Sequence, residues 1–295
     1  MIAAGGAPFD WHLHLFWLLV FPVVVGIYLW VTRTSPATGG RPTYPATLGQ
    51  KVSFVGGVLV LVGAVTWPHG DLAAHWLLLA LVLQRLLLTL VVPPLLVLGT
   101  PRLLIARLTR PAPVDAVLRV AVKPAPAVAI VTVVAVATLT TGAVSLAARS
   151  DVARLVIELV VLASGFVLWA PVLTELPGAQ RLSPLGRGGY LIVQSIVPSF
   201  LSIVWIFARH SLYPPYAHRG TVVGLSPLLD QQLAGFLAKL STIAVLWTVA
   251  FVIMTRAQAP DVAGQDEPLI WSDVEREIER ADRRERRHGT GAPPA

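Results

Sequence analysis

The sequence predicts an all-α polytopic membrane bundle of about seven transmembrane helices, N-terminus outside and C-terminus cytoplasmic. Long apolar stretches recur between Leu13 and Met254. A helix needs roughly 20 apolar residues to cross the hydrocarbon core, and repeated runs of that length belong to membrane proteins. Composition agrees: of 295 residues, 55% are hydrophobic and only 13% charged. The arginines and lysines also avoid every second gap between the runs, which sets the orientation.

The expected spans are Leu13 to Val31, Val52 to Trp67, Leu72 to Leu98, Ala125 to Ala147, Val152 to Leu173, Tyr190 to Ala208 and Leu233 to Met254. No positive segment precedes the first span and Arg33 follows it, so it reads as a retained helix rather than a cleaved signal. Arg33, Arg41 and Lys51 fill the first loop, and Arg102, Arg107, Arg110, Arg119 and Lys123 the third. Arg181 and Arg187 follow in the fifth, and Arg256 opens a basic tail. The second loop holds neither Lys nor Arg. Residues 1–256 therefore form the membrane domain, and residues 257–295 a cytoplasmic charged tail. In that tail Trp271 to Arg280 reads as a short helix, with Ser272 and Glu275 at capping-box spacing.

The formal charge of +7 is accounted for by these loops, so positive-inside topology explains it better than nucleic-acid binding. There is no cysteine, which removes disulfides and thiolate metal sites. The scarcity of Lys beside Arg and the absence of Asn fit a GC-rich bacterial source, and hence the bacterial inner membrane. Prolines inside spans, at Pro22, Pro93, Pro94, Pro171 and Pro198, each remove a backbone donor. Their neighbours must satisfy the freed carbonyls. The Pro93-Pro94 pair marks a deliberate break.

Topology places His12, His14, His69, His75, His210 and His218 at the outer side, with Asp10, Asp71, Asp151 and Asp230. Imidazole with carboxylate suits copper(II) or zinc. With Met only at positions 1 and 254, copper(I) would depend on imidazole. His12, His14 and His75 are the candidate ligands; the alternative is interfacial histidines beside lipid headgroups. Within the spans lie Arg85, Glu158 and Lys239, with Gln84 beside them. An unpaired charge there costs several kcal/mol, so such groups pair or line a polar cavity. At about 1.5 Å per residue, Glu158 and Lys239 each sit about 9 Å below the outer start of their spans. The three charges are therefore expected to meet in the outer half of the bundle. They form either a buried ion pair fixing helix register or a polar pocket open to the outside.

Four stretches resemble the seven-span CtaG-type cytochrome c oxidase assembly factors of the caa(3) group. Residues 84–101, QRLLLTLVVPPLLVLGTP, are similar to that family's QHxLLxxxxPPLLxLGxP. Residues 165–171, GFVLWAP, resemble GxxxWxP, and residues 212–216, LYPPY, resemble LYPxY. Residues 225–235, LSPLLDQQLAG, resemble LSxLxDQxLAG. The resemblance implies a non-enzymatic factor in oxidase maturation, through copper delivery or support of a subunit during its insertion. Copper is then the candidate cofactor, and oxidase subunits and the lipid bilayer the partners. It also carries over Tyr213, Tyr216, Asp230, Gln231 and Gln232 as an outer motif. The chain departs from the family where its intramembrane histidines belong, which here are Leu81, Arg85 and Glu158. An Arg85–Glu158 pair is expected to hold together helices that two histidines would join around a metal. The competing functions are a small-molecule or ion transporter using the Arg85/Glu158/Lys239 pocket, and a membrane enzyme. The absence of an internal repeat counts against the first, and the lack of a nucleophile–base constellation against the second.

Overall fold

The computed structural model describes residues 15–33, 44–173, 182–196, 200–217 and 224–265. His12, His14 and the expected tail helix lie outside them. The described residues are helical, without strands. In chain order the helices are α1 (Leu15–Val31), α2 (Leu48–Val65), α3 (His69–His75) and α4 (Leu78–Leu86). A π-helical turn, Leu87–Val91, joins α4 to α5 (Val92–Gly99). Then come α6 (Arg102–Leu108), α7 (Ala112–Ala121), α8 (Pro124–Thr138), α9 (Thr141–Arg149) and α10 (Asp151–Trp169). The last are α11 (Pro184–Ile196), α12 (Phe200–Phe207), a 3-10 turn at Pro214–Tyr216, and α13 (Pro227–Gln265). The chain divides into two units, Met1–Phe251 and Val252–Ala295. The described part of the second is the final stretch of α13.

Among the described residues, five helices are long and apolar enough to cross a membrane: Leu48–Val65, Leu78–Gly99, Asp151–Trp169, Pro184–Phe207 and Pro227–Ala257. Counting α7 with α8, which meet at a 98° bend, gives six. The apolar part of α1, Leu19–Val31, is shorter. The outward faces carry Val52, Val133, Val156, Phe200 and Phe207, the last 77% exposed. Such a surface is stable against lipid tails and would be unstable in water. This is a multi-pass membrane protein.

Two expected spans are divided. The apolar run from Leu72 is interrupted at Leu77, whose backbone is extended (φ −135°, ψ 127°), so the third span begins only at Leu78. The run Ala125 to Ala147 ends its first helix at Thr138, and α9 restarts behind Thr140, whose hydroxyl accepts from the Ala143 N–H at 3.3 Å. Two other helix starts follow local rules. Thr47 and Gln50 form a reciprocal capping box on α2, and the Ser150 hydroxyl caps α10.

Close packing relies on glycines where backbones meet. A Cβ on Gly99 would stand 2.4 Å from the Phe54 nitrogen, and one on Gly57 would stand 3.0 Å from the Leu95 Cβ. These contacts seat α5 on α2. The Tyr28 hydroxyl donates to the Gly99 carbonyl at 2.6 Å, and its ring stacks on Phe54 with centroids 3.8 Å apart.

Candidate functional site: a braced helix end and a central cavity

The third span runs from Leu78 to Gly99 without the break expected at Pro93-Pro94, and the fifth supplies the donor that Pro93 lacks. Proline cannot donate to the carbonyl four residues back, which is that of Thr89. The indole Nε1 of Trp169 donates to that carbonyl at 3.0 Å. The approach this requires is possible because residue 165 is glycine: a Cβ there would lie 2.7 Å from Pro93 Cγ and 2.8 Å from the Leu88 oxygen. The GxxxWxP and PP stretches are thus two halves of one joint.

The break at Leu77 is closed from still farther along the chain. Starting α4 there leaves its first N–H groups without intrahelical partners. The Asp230 carboxylate accepts from Leu78 N at 2.7 Å and from Leu79 N at 3.0 Å. Its neighbours in the outer motif hold the chain around it. Gln231 Oε1 accepts from Leu212 N at 2.7 Å, and Gln232 Nε2 donates to the Ala208 carbonyl at 3.4 Å. The Tyr216 hydroxyl donates to the Ala73 carbonyl at 2.7 Å, and that of Tyr213 to the Leu139 carbonyl at the end of α8 at 2.5 Å. Burial raises both phenols above the ordinary tyrosine range, Tyr213 to about 12, so both remain protonated donors. Gly235 admits the backbone of α12, since a Cβ there would meet the Ser202 oxygen at 2.8 Å. All five outer-motif residues therefore bond to backbone, and Asp230, Tyr213 and Tyr216 do so at or beside helix breaks.

The intramembrane cluster is arranged differently from a simple Arg85–Glu158 pair. Gln84 Nε2 donates to Glu158 Oε1 at 3.1 Å and to the Ala64 carbonyl at 3.0 Å, tying α4, α10 and α2 together. Glu158 and Arg85 are both buried and within electrostatic range of each other, yet no ion-pair contact joins them among the described residues. Glu158 also feels Arg154, one helical turn earlier, which pairs with Asp151 at 2.9 Å. Gln84 and Arg85 both border a small space with Leu81, Arg154 and Tyr216, and the amide of Gln84 takes the Glu158 oxygen.

Arg85 also lines a cavity of about 120 Å³ between α4, the π-turn, α8, α10, α11, α12 and α13. Arg85, Gln194, Leu90, Val131, Trp205 and Leu246 contribute to its wall. The hydroxyls on it largely donate to their own helices, as with Thr89 to the Arg85 carbonyl at 2.8 Å and Ser164 to the Val161 carbonyl at 2.7 Å. Arg85 Nε and Nη1 and both amide atoms of Gln194 are buried without a partner among the described residues. From α13 the wall takes Ala238, Thr242 and Leu246 but not Lys239, which is half-buried. Lys239 is thus not brought to this wall with Arg85. Gln194 was not among the expected site residues, although an amide in mid-span is visible in the sequence.

His75 lines a separate depression of about 290 Å³ with Arg149, Ser145 and Pro214. Among the described residues no three His, Cys, Asp or Glu side chains converge as a metal site.

The braced joints are built from the four stretches that resemble a family, and the family comparison covers far more than those stretches. The model of the cytochrome c oxidase caa3 assembly factors (Caa3_CtaG) matches residues 26–259. The chain belongs to that family. No curated protein and no solved structure matches it. Within this Caa3_CtaG member, the joints are built from the family-like residues, while Arg85, one of its departures, forms part of the cavity wall.

Proposed function

We propose that this protein assists maturation of a haem–copper cytochrome c oxidase as a scaffold for a membrane subunit, not by carrying copper inside its bundle. Family membership supports the assembly role. The scaffold reading rests on one observation: a buried guanidinium, Arg85, stands in the cavity wall at a position where the family resemblance places a histidine. A permanent cation at that depth repels copper ions strongly in a weakly polarisable medium. Leu81 and Glu158, at the other two such places, supply one apolar group and one carboxylate already held by Gln84. The site residues do not fit a copper ion, and any copper delivery falls to histidines at the outer face. The protein acts in the bacterial cytoplasmic membrane, with its N-terminus outside.

Deleting the gene tests this reading. Oxidase activity and haem a absorbance are expected to fall and to stay low when copper is added to the medium. Restoration by copper would replace the scaffold with copper supply. Wild-type oxidase levels would overturn the assembly role and favour a transporter working through the central cavity.

A further inference from the structure

The central cavity holds two polar groups that the bundle does not satisfy. Asp230 and Trp169, by contrast, complete long-range polar contacts. Arg85 is 8% exposed and Gln194 1%, and both line the same space. Glu158 lies within electrostatic range of Arg85 and offsets part of its charge, but its Oε1 accepts from Gln84, and Arg85 Nε and Nη1 keep N–H groups without an acceptor among the described residues. Buried donors left without acceptors are costly. The rest of the wall is mainly apolar, including Leu90, Val131 and Leu246.

We infer that this cavity binds an amphiphilic carboxylate, its anionic head on Arg85 and Gln194 and its apolar stem against the surrounding helices. The guanidinium presents a fork matched to the two oxygens of a carboxylate. The Gln194 amide adds a donor through Nε2, and its Oε1 accepts from a co-bound water or a hydroxyl on the ligand. The volume is on the order of the ~150 Å³ that accommodates a benzene ring, enough for a head group and a short stem. A neutral lipid chain would leave the buried donors of Arg85 and Gln194 unmatched. This inference is independent of the oxidase role, because it concerns binding by the purified protein.

The test uses the full chain in nanodiscs of zwitterionic phosphatidylcholine. Hexanoate brominated at its chain end is titrated while tryptophan fluorescence is followed, with the brominated alcohol of equal length as control. Trp205 lines the cavity and reports proximity of the bromine. Saturable quenching by the acid but not the alcohol is expected, and Trp205→Phe should remove most of it. Arg85→Met should weaken binding about tenfold or more, as loss of a charged hydrogen-bond partner does, and Gln194→Leu severalfold. Equal quenching by acid and alcohol, no saturable component, or unchanged affinity in either variant would overturn the inference. If Arg85→Met fails to fold, Gln194→Leu decides alone. Mass spectrometry of carboxylates extracted with wild-type protein then names the source: a fatty acid points to the membrane, a shorter acid to solution.

Discussion

The α3 end of the bundle and its centre use buried polar side chains in opposite ways. At the α3 end, Asp230, Tyr213 and Tyr216 each meet a backbone group at or beside a helix break. At the centre, Arg85 Nε and Nη1 and both amide atoms of Gln194 have no hydrogen-bond partner among the described residues, and both side chains line a cavity. The difference separates structure from function. A polar group that completes the backbone stabilises the fold, whereas one left unmatched in a cavity destabilises the empty protein and is useful only when something fills the space. The division is not absolute, since Gln231 has a bonded oxygen but an unpartnered Nε2.

The sharpest way to break this contrast is Asp230→Ala. It strands the N–H groups of Leu78 and Leu79, and a loss of about 3 kcal/mol or more is expected from two unsatisfied donors. Thermal unfolding in detergent measures it; a loss below about 1 kcal/mol would mean that water or a neighbour caps α4 equally well. Trp169→Phe keeps the ring in place but leaves the Thr89 carbonyl opposite Pro93 without its donor. About 1–2 kcal/mol should be lost in the same assay.

A smaller effect comes from His69, outside the spans, whose Nε2 is buried without a partner among the described residues. Burial lowers its proton affinity in the folded state. The unfolded chain therefore binds a proton first, and stability should fall as pH drops below the ordinary histidine value of about 6.5. Comparing unfolding midpoints at neutral and mildly acidic pH for wild type and His69→Phe checks this, with a flatter profile expected for the variant. The smallest effect, and opposite in sign, belongs to Gln194→Leu. Removing an unpaired amide should leave the ligand-free protein within about 0.5 kcal/mol of wild type or slightly more stable. A loss of the size expected for Asp230→Ala would erase the distinction between the two regions.

Much of the architecture was legible in the sequence because bilayer thickness acts on each segment separately. The spans around α2, α10 and α13 needed only their own apolar lengths. The double proline suggested a break, but the helix runs on through it behind a π-helical turn; Gln84, Arg85 and Glu158 stood out as polar groups in apolar runs. Their pairing was not legible. The expectation of an Arg85–Glu158 contact assigned the strongest charges to each other; they lie within electrostatic range, but the hydrogen bond to Glu158 comes from Gln84, and Arg85 lines the cavity. The breaks at Leu77 and Leu139 were also hidden, since hydropathy continues through both.

Sequence alone determined the solvent and the family, because apolar length and short motifs are properties of contiguous residues. Tertiary structure alone decided where the helices stop and which polar groups stay unmatched. Leu78 and Asp230 are 152 positions apart, and Thr89 and Trp169 are 80 apart. In lipid a backbone group must find its partner within the protein, so a helix can end only where folding brings that distant partner to it.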